Sequence, residues 1–312
     1  MHGLNAVKKL GSELKINIMD NSLRYKPMLA YPVSERPIDY SQKVFMQPKL
    51  DGVRCLIQYE HGEVVAYSRT GKPWKNIDHI LFSLEPFFNL NPNVVLDGEL
   101  YNHDLKDDFE KIISCVRKTK PTDEHREESE KLVQFHCYDA ILYDEPVVGD
   151  ADFETRHKWI LMNVPKGTCV RHVETIGLFN ACGESCRKCA TQIHEQFLSK
   201  GYEGSILRTN SNYETKRSHN LRKFKDFHDT EAEIIGWVEG KGKRKGTIGK
   251  FIAVDSEGVQ FGMPVMENFE YLQTNFKQMQ GWIGKTATFT YFERTKAGSY
   301  RHPLFKCIRD YE

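Results

Sequence analysis

The chain has 312 residues, 39% hydrophobic and 28% charged, and its 44 Lys and Arg against 43 Asp and Glu give a formal net charge of +1. That length and composition exclude a disordered chain and suit a globular one with a buried core and two domains. The overall charge does not announce a polyanionic partner, but five of the ten residues Lys241–Lys250 are basic while Asp123–Glu130 is rich in carboxylates, so a polyanion would meet the first face and not the second.

Residues 1–25 read as a short helical arm, with Leu4, Val7, Leu10 and Leu14 at helical spacing. Lys8, Lys9 and Lys15 break any apolar run there, which argues against a secretory leader, and no later stretch has the length of a membrane-spanning helix. Strand character begins at Val44-Phe45-Met46, passes through a turn at Lys49–Gly52 and resumes over Val53–Gln58. His61-Gly62 then makes a hairpin into Glu63–Ser68. A lysine so placed projects from a strand end into a cleft. Val94-Val95-Leu96 is another short strand, and it delivers Asp97 and Glu99 on one face because side chains two apart point together.

Phe109, Ile112, Ile113 and Val116 give an amphipathic helix over 107–116. The charged stretch Lys118–Lys131, which holds Pro121, is expected to be an exposed excursion. Val133–Tyr143 reads as a strand, Cys186–Lys200 as a helix stopped by Gly201, and Gly204–Arg208 as a strand. The domain boundary is expected near Asp226–Asp229, dividing 1–228 from 229–312. Beyond it the strands Glu231–Val238, Gly249–Asp255, Gly258–Gly262 and Thr286–Phe292, with a helix over Met266–Met279, fit a small OB-type barrel. The eight cysteines sit mostly singly in apolar segments, as reduced thiols of a cytosolic protein do. Cys182, Cys186 and Cys189 form C-x3-C-x2-C, and with His172 and His194 as further donors they could hold zinc or an iron–sulfur cluster. Thiols packing a helix are the favoured reading.

The chemistry concentrates in Gln47-Pro48-Lys49-Leu50-Asp51-Gly52-Val53-Arg54. This octet offers an amine nucleophile, a carboxylate two residues on, a glycine that permits a tight turn and an arginine suited to phosphate. Further candidates follow in order: Ser68-Arg69-Thr70-Gly71-Lys72, Leu96-Asp97-Gly98-Glu99-Leu100, Phe135-His136-Cys137-Tyr138-Asp139, Glu203-Gly204-Ser205-Ile206-Leu207-Arg208, Leu221-Arg222-Lys223-Phe224-Lys225, and Arg301-His302-Pro303-Leu304-Phe305 with Ile308-Arg309. Asp51, Glu99 and Glu203 are carboxylates suited to magnesium, which takes oxygen ligands and keeps several waters. The glycine-flexible loop with Lys241, Lys243, Arg244 and Lys245 suits sequence-independent contact with a nucleic-acid backbone.

These blocks, in this order and from Pro27-Met28-Leu29-Ala30 to the end, resemble those of the covalent nucleotidyltransferases, and among them the small two-domain ATP-dependent DNA ligases of bacteriophages and bacteria. The resemblance implies an α+β adenylation domain of antiparallel sheets and helices followed by an OB-fold barrel. It implies that Lys49 takes AMP from ATP, that the AMP passes to the 5′-phosphate of a nick in duplex DNA, and that the 3′-hydroxyl then seals the strand. Glu203 would help hold Mg2+ (Mn2+ serving in its place), Glu99 would contact the ribose or a metal-bound water, and Asp51 would serve the sealing step. Tyr138 would stack on adenine and Gln47 would meet the base. Arg54 and Arg69 would clamp the triphosphate and later the 5′-phosphate, while Lys223, Lys225, Arg301 and Arg309 would neutralise the phosphates. The pattern departs from the family at Cys307, where many relatives carry a basic residue; Lys306 is one step away, and no lysine follows Asp310. A cytoplasmic monomer is expected. The alternatives are an RNA ligase, a GTP-dependent capping guanylyltransferase, and a non-catalytic OB-type DNA-binding protein.

Overall fold

The computed structural model describes residues 25–309, apart from Pro37, Asp107, 143–150, 179–183, Asp226 and Lys296. The arm expected over 1–25 therefore lies outside the described residues, Tyr25 excepted. The chain divides into two compact units, one ending at Phe224 and one beginning at Lys225, just before the 228/229 boundary read from sequence.

Two five-stranded sheets build the first unit. One runs Leu29–Pro32, Arg217–Phe224, Gly204–Thr209, Val44–Lys49, Ile176–Leu178; the other runs Glu63–Tyr67, Val53–Glu60, Val94–Tyr101, Gln134–Leu142, Val170–His172. Most neighbours are antiparallel, with parallel pairing only at Leu29–Pro32 and at Val170–His172 among the described strands. The hairpin joining Val53–Glu60 to Glu63–Tyr67 turns at His61 and Gly62, both with positive φ (51° and 90°), the left-handed pair that matches strand twist.

The second sheet is covered on one face by the helix Asp78–Leu90, whose Ile80, Leu84, Phe87 and Phe88 pack against Ile57, Leu96 and Leu100 in the largest core. On its other face Leu56, Val95 and Ile141 pack with Tyr213. The helix Glu184–Ser199 covers the first sheet through Ala190, Ile193 and Phe197, against Val44, Met46 and Leu207. Gly201 ends that segment with φ at +86°, a conformation open to glycine at no steric cost.

The stretch Lys118–Lys131 is mostly exposed, as expected, but it is not irregular. It contains the helix Asp123–Leu132, entered by a capping box in which Thr122 accepts from the His125 backbone and the His125 ring accepts from the Thr122 backbone. Ser129 on this helix is fully buried and donates to the Asn76 carbonyl. An almost wholly charged sequence thus becomes helical through its cap and one buried hydroxyl, with little apolar periodicity to betray it.

The second unit is a five-stranded sheet in the order Gln260–Pro264, Ile248–Val254, His228–Glu239, Thr286–Tyr291, Leu304–Ile308, all antiparallel. Phe251, Met263, Phe289 and Leu272 fill its core. The helix expected over Met266–Met279 is two short ones, Phe269–Thr274 and Phe276–Gln280, because Asn268 caps the first and Asn275 returns its side chain to the Tyr271 carbonyl where they part. Among the described residues no helix is long and apolar enough to cross a membrane.

Candidate active site

Lys49 is the last residue of the strand Val44–Lys49 and lies opposite Gly204 in the neighbouring strand. The Glu203 backbone N–H donates to the Lys49 carbonyl at 3.2 Å, and the Lys49 ammonium is ion-paired with the Glu203 carboxylate. That carboxylate is almost wholly buried, while the lysine keeps about a fifth of its side chain open (21% exposed). Register therefore brings together two residues far apart in sequence, and one glycine step places the carboxylate on the amine.

Lys223 occupies the next strand, opposite Ile206. Burial lowers its pKa, and the nearby positive charges of Lys49, Arg217 and Arg69 lower it further. Lys49 is thus one of the charges that disfavour the protonated form of Lys223. Asp51 stands half-buried on the turn after Lys49.

Gly52 in this turn has a steric reason. A Cβ there would lie 2.7 Å from Glu99 Cγ and collide with the Leu100 carbonyl. The close approach sets Val53–Glu60 against Val94–Tyr101 with Arg54 opposite Glu99. Arg54 donates from Nε to Asp97 at 2.6 Å, forms a second bond to the same carboxylate and reaches the Met28 carbonyl at 3.1 Å. Asp97 is completely buried and also accepts from the Tyr213 hydroxyl at 2.6 Å. Arg54 is accordingly a fixed cation, held in a fork that a lysine could not match.

Arg54, Arg69, Glu99 and Gly52 line one cavity of about 760 Å³. Arg69 is exposed on a tight loop in which the Ser68 N–H donates to the Lys72 carbonyl, the Lys72 N–H donates to the Ser68 hydroxyl, and Gly71 has φ at +79°. Glu99 is pushed up to about 7 from an ordinary 4.5: burial raises it, and the charges of Arg54 and Lys49 only partly offset that.

Tyr138 stands at a bulge. The pairing between Val94–Tyr101 and Gln134–Leu142 runs from Asp97↔Asp139 to Gly98↔Cys137 and skips Tyr138, a device that re-aims a side chain. Its hydroxyl donates to Glu99 at 3.3 Å, and the guanidinium carbons of Arg54 and Arg208 lie 5.1 and 5.6 Å from its ring centroid. Burial holds its phenol well above the ordinary value, so it stays protonated.

Gln47, expected to meet the base, is engaged by the protein itself. It is 2% exposed, accepts from Arg208 Nε at 2.8 Å and donates to the Tyr138 carbonyl at 3.2 Å and to Thr175 Oγ1 at 2.9 Å. With both ends of its amide engaged, Gln47 braces the backbone of Tyr138. Sequence reading also missed a buried ionic network: Arg208 donates to Asp139 at 2.6 Å, and Arg156 reaches both Asp139 oxygens, at 2.8 and 3.1 Å. Burial alone would raise the Asp139 pKa, but the two arginines hold it below the usual carboxylate range. The only sequence signal was the presence of Asp139 and Arg208 inside recognised blocks.

In the second unit, Lys225 places its ammonium 4.6 Å from the Phe292 ring centroid, and Arg301 lies 5.9 Å from the same ring. Arg309 donates to Thr288 at 2.9 Å and pairs with Glu231 at 2.7 Å, while Lys306 pairs with Asp229. Of the basic loop, Lys241, Lys243 and Lys245 are exposed, whereas Arg244 turns inward to the Val265 carbonyl at 2.8 Å. Arg244 therefore ties the loop down while staying partly exposed.

The cysteine cluster gains no support as a metal centre. Cys182 and the Cys186 side chain lie outside the described residues, Cys189 is exposed, His172 bonds the Val164 carbonyl at 3.0 Å, and His194 bonds Ser205 at 2.9 Å. Cys189 also departs from the favoured reading, since the helix packs through Ala190, Ile193 and Phe197 and this thiol faces solvent.

Residues 27–225 match the family described as ATP dependent DNA ligase domain, and residues 239–309 match DNA ligase OB-like domain. Among curated relatives, a DNA ligase of African swine fever virus is 28% identical over 217 residues, covering 65% of this chain and 46% of its own length. One from Halobacterium salinarum is 26% identical over 243 residues, covering 72% and 40%. The chain thus spans less than half the length of these relatives. Among solved structures, a Lig E DNA ligase studied for DNA binding with a minimal scaffold shares the fold with a TM-score of 0.69 at 22% identity, covering 92% of this chain and all of that one. A chain named Pmar-Lig_PreS3 gives 0.73 at 21% identity, covering 91% and 68%. With the family model spanning more than half the sequence and its blocks folded around Lys49, this chain belongs to the ATP-dependent DNA ligase family.

Proposed function

We propose that the protein seals nicks in duplex DNA, with a 5′-phosphate facing a 3′-hydroxyl, through a lysyl-AMP formed on Lys49. The observation that carries this reading is the ammonium of Lys49 held against the buried Glu203 carboxylate. A lysine is almost wholly protonated near neutral pH and must lose that proton to attack. Glu203 is in contact to receive the proton. Lys49 then bonds to the α-phosphorus of ATP as the bond to pyrophosphate breaks. The 5′-phosphate of the nick takes the adenylate from Lys49, and the 3′-hydroxyl displaces AMP.

Arg54 and Arg69 grip phosphate on one wall of the cavity, and Tyr138 offers a ring for the base. Lys241, Lys243 and Lys245 contact the duplex backbone. Among the described residues no three His, Cys, Asp or Glu side chains are grouped to hold a metal ion. A nucleotidyl-transfer site holds magnesium or manganese with one or two carboxylates together with substrate phosphates. Glu203 and Glu99, with Asp51 two residues after Lys49, are the oxygen donors that would hold it, and when bound it neutralises phosphate charge. The free thiols of Cys55, Cys115 and Cys137 suit a reducing cytoplasm, and the protein acts as a monomer.

The test is to offer α-labelled ATP or GTP with magnesium, then nicked DNA or nicked RNA. Label is expected from ATP alone, chased onto DNA, and absent in Lys49→Ala. Uptake from GTP alone would assign the protein to capping, and preferential transfer to RNA nicks would assign it to RNA ligation.

A further inference from the structure

The cavity lined by Arg54, Arg69 and Glu99 is lined by further cations as well. Lys75 is one, next to Trp74, whose indole N–H donates to the Arg54 carbonyl at 3.3 Å. Arg117 and Lys118, which directly follow the helix Phe109–Val116, are two more. Lys75 and Arg117 are exposed and Lys118 partly so. No ion pair engages any of the three among the described residues, and Glu99 is the only carboxylate in the lining. Unpaired cations gathered in a concave, partly enclosed place repel one another and focus a positive potential, which an extended polyanion relieves.

We propose that Lys75, Arg117 and Lys118 form a track for phosphodiesters of the DNA backbone, leading away from the 5′-phosphate held at Arg69. This rests on the ligase reading. The triphosphate of ATP carries the same chemistry, but the cavity, at about 760 Å³, is far roomier than a diphosphate needs. The contacts are to backbone phosphate, so they add affinity without sequence preference.

The experiment compares the full chain with its Lys75→Ala/Arg117→Ala/Lys118→Ala variant in two assays: binding to a nicked duplex with a 3′-dideoxy end across a salt series, and self-adenylation without DNA. The log–log dependence of affinity on salt is expected to become shallower by about two to three, at roughly 0.9 for each phosphate that the variant no longer neutralises. The KM for ATP and the rate of self-adenylation are expected to match the parent chain. An unchanged salt slope, with the parent binding normally, would overturn the track alone. A raised KM for ATP with nick binding intact would overturn it by giving the cavity to the triphosphate. A parent chain that labels itself but does not bind nicked duplex would overturn the ligase reading and the track together.

Discussion

Glu99 shows how the site stores electrostatic free energy in a single residue. Its carboxyl holds its proton up to about 7 in the folded protein against an ordinary 4.5. Between those values the folded state binds more protons than the unfolded one, so stability falls as pH rises through the window, and the whole cost of ionising a buried carboxylate is present above 7. Glu99→Gln is therefore expected to be more stable than the parent chain above pH 7 and indistinguishable from it below 4.5. The gain should be about 2 kcal/mol, discounted because Glu99 keeps some contact with solvent. Denaturant melts at the two pH extremes check this; a Gln variant less stable at high pH would show that Arg54 and Lys49 outweigh burial.

At the scale of elements, glycines and caps fix what the catalytic side chains then use. Gly52→Ala must move the Glu99 side chain or the Leu100 carbonyl, so it should cost about 1–3 kcal/mol of stability and lower self-adenylation. Thr122→Ala removes the cap of Asp123–Leu132 and should cost about 1 kcal/mol while leaving self-adenylation unchanged. Thermal melts with labelled ATP separate the two cases. The strands around Lys49 were legible because Gly52 and Gly62 punctuate the β-rich runs there and Gly204 opens another. The helix Asp123–Leu132 was not, because its stability comes from a cap and from Ser129 meeting Asn76, 53 residues away. The brace at Gln47 was equally hidden, since Arg208 is 161 residues away in sequence and only register makes them neighbours.

At the scale of the molecule, the two units have separate cores: Phe88, Leu96 and Phe135 belong to one, and Phe251, Phe289 and Met263 to the other. Each core is closed by its own strands, so each unit is expected to unfold by itself. Calorimetry should then give a total unfolding enthalpy clearly above the van't Hoff value, and equality of the two would contradict the division. The blocks that announced the family were legible at this scale as well, because they are read in order along the chain, although the strands that carry them are not in chain order within the sheets. The paired lysines illustrate what order alone leaves out, since Lys223 lies in one unit's last strand, Arg217–Phe224, and Lys225 opens the next unit.

All of the proposed chemistry passes through one amine. The most direct measurement is peptide mapping by mass spectrometry after incubation of the protein with ATP and magnesium. A single adenylate on the peptide bearing Lys49, released by acid and stable to base as a phosphoramidate, is the expected result. An adenylate on another side chain, or none while ATP is bound, would contradict it.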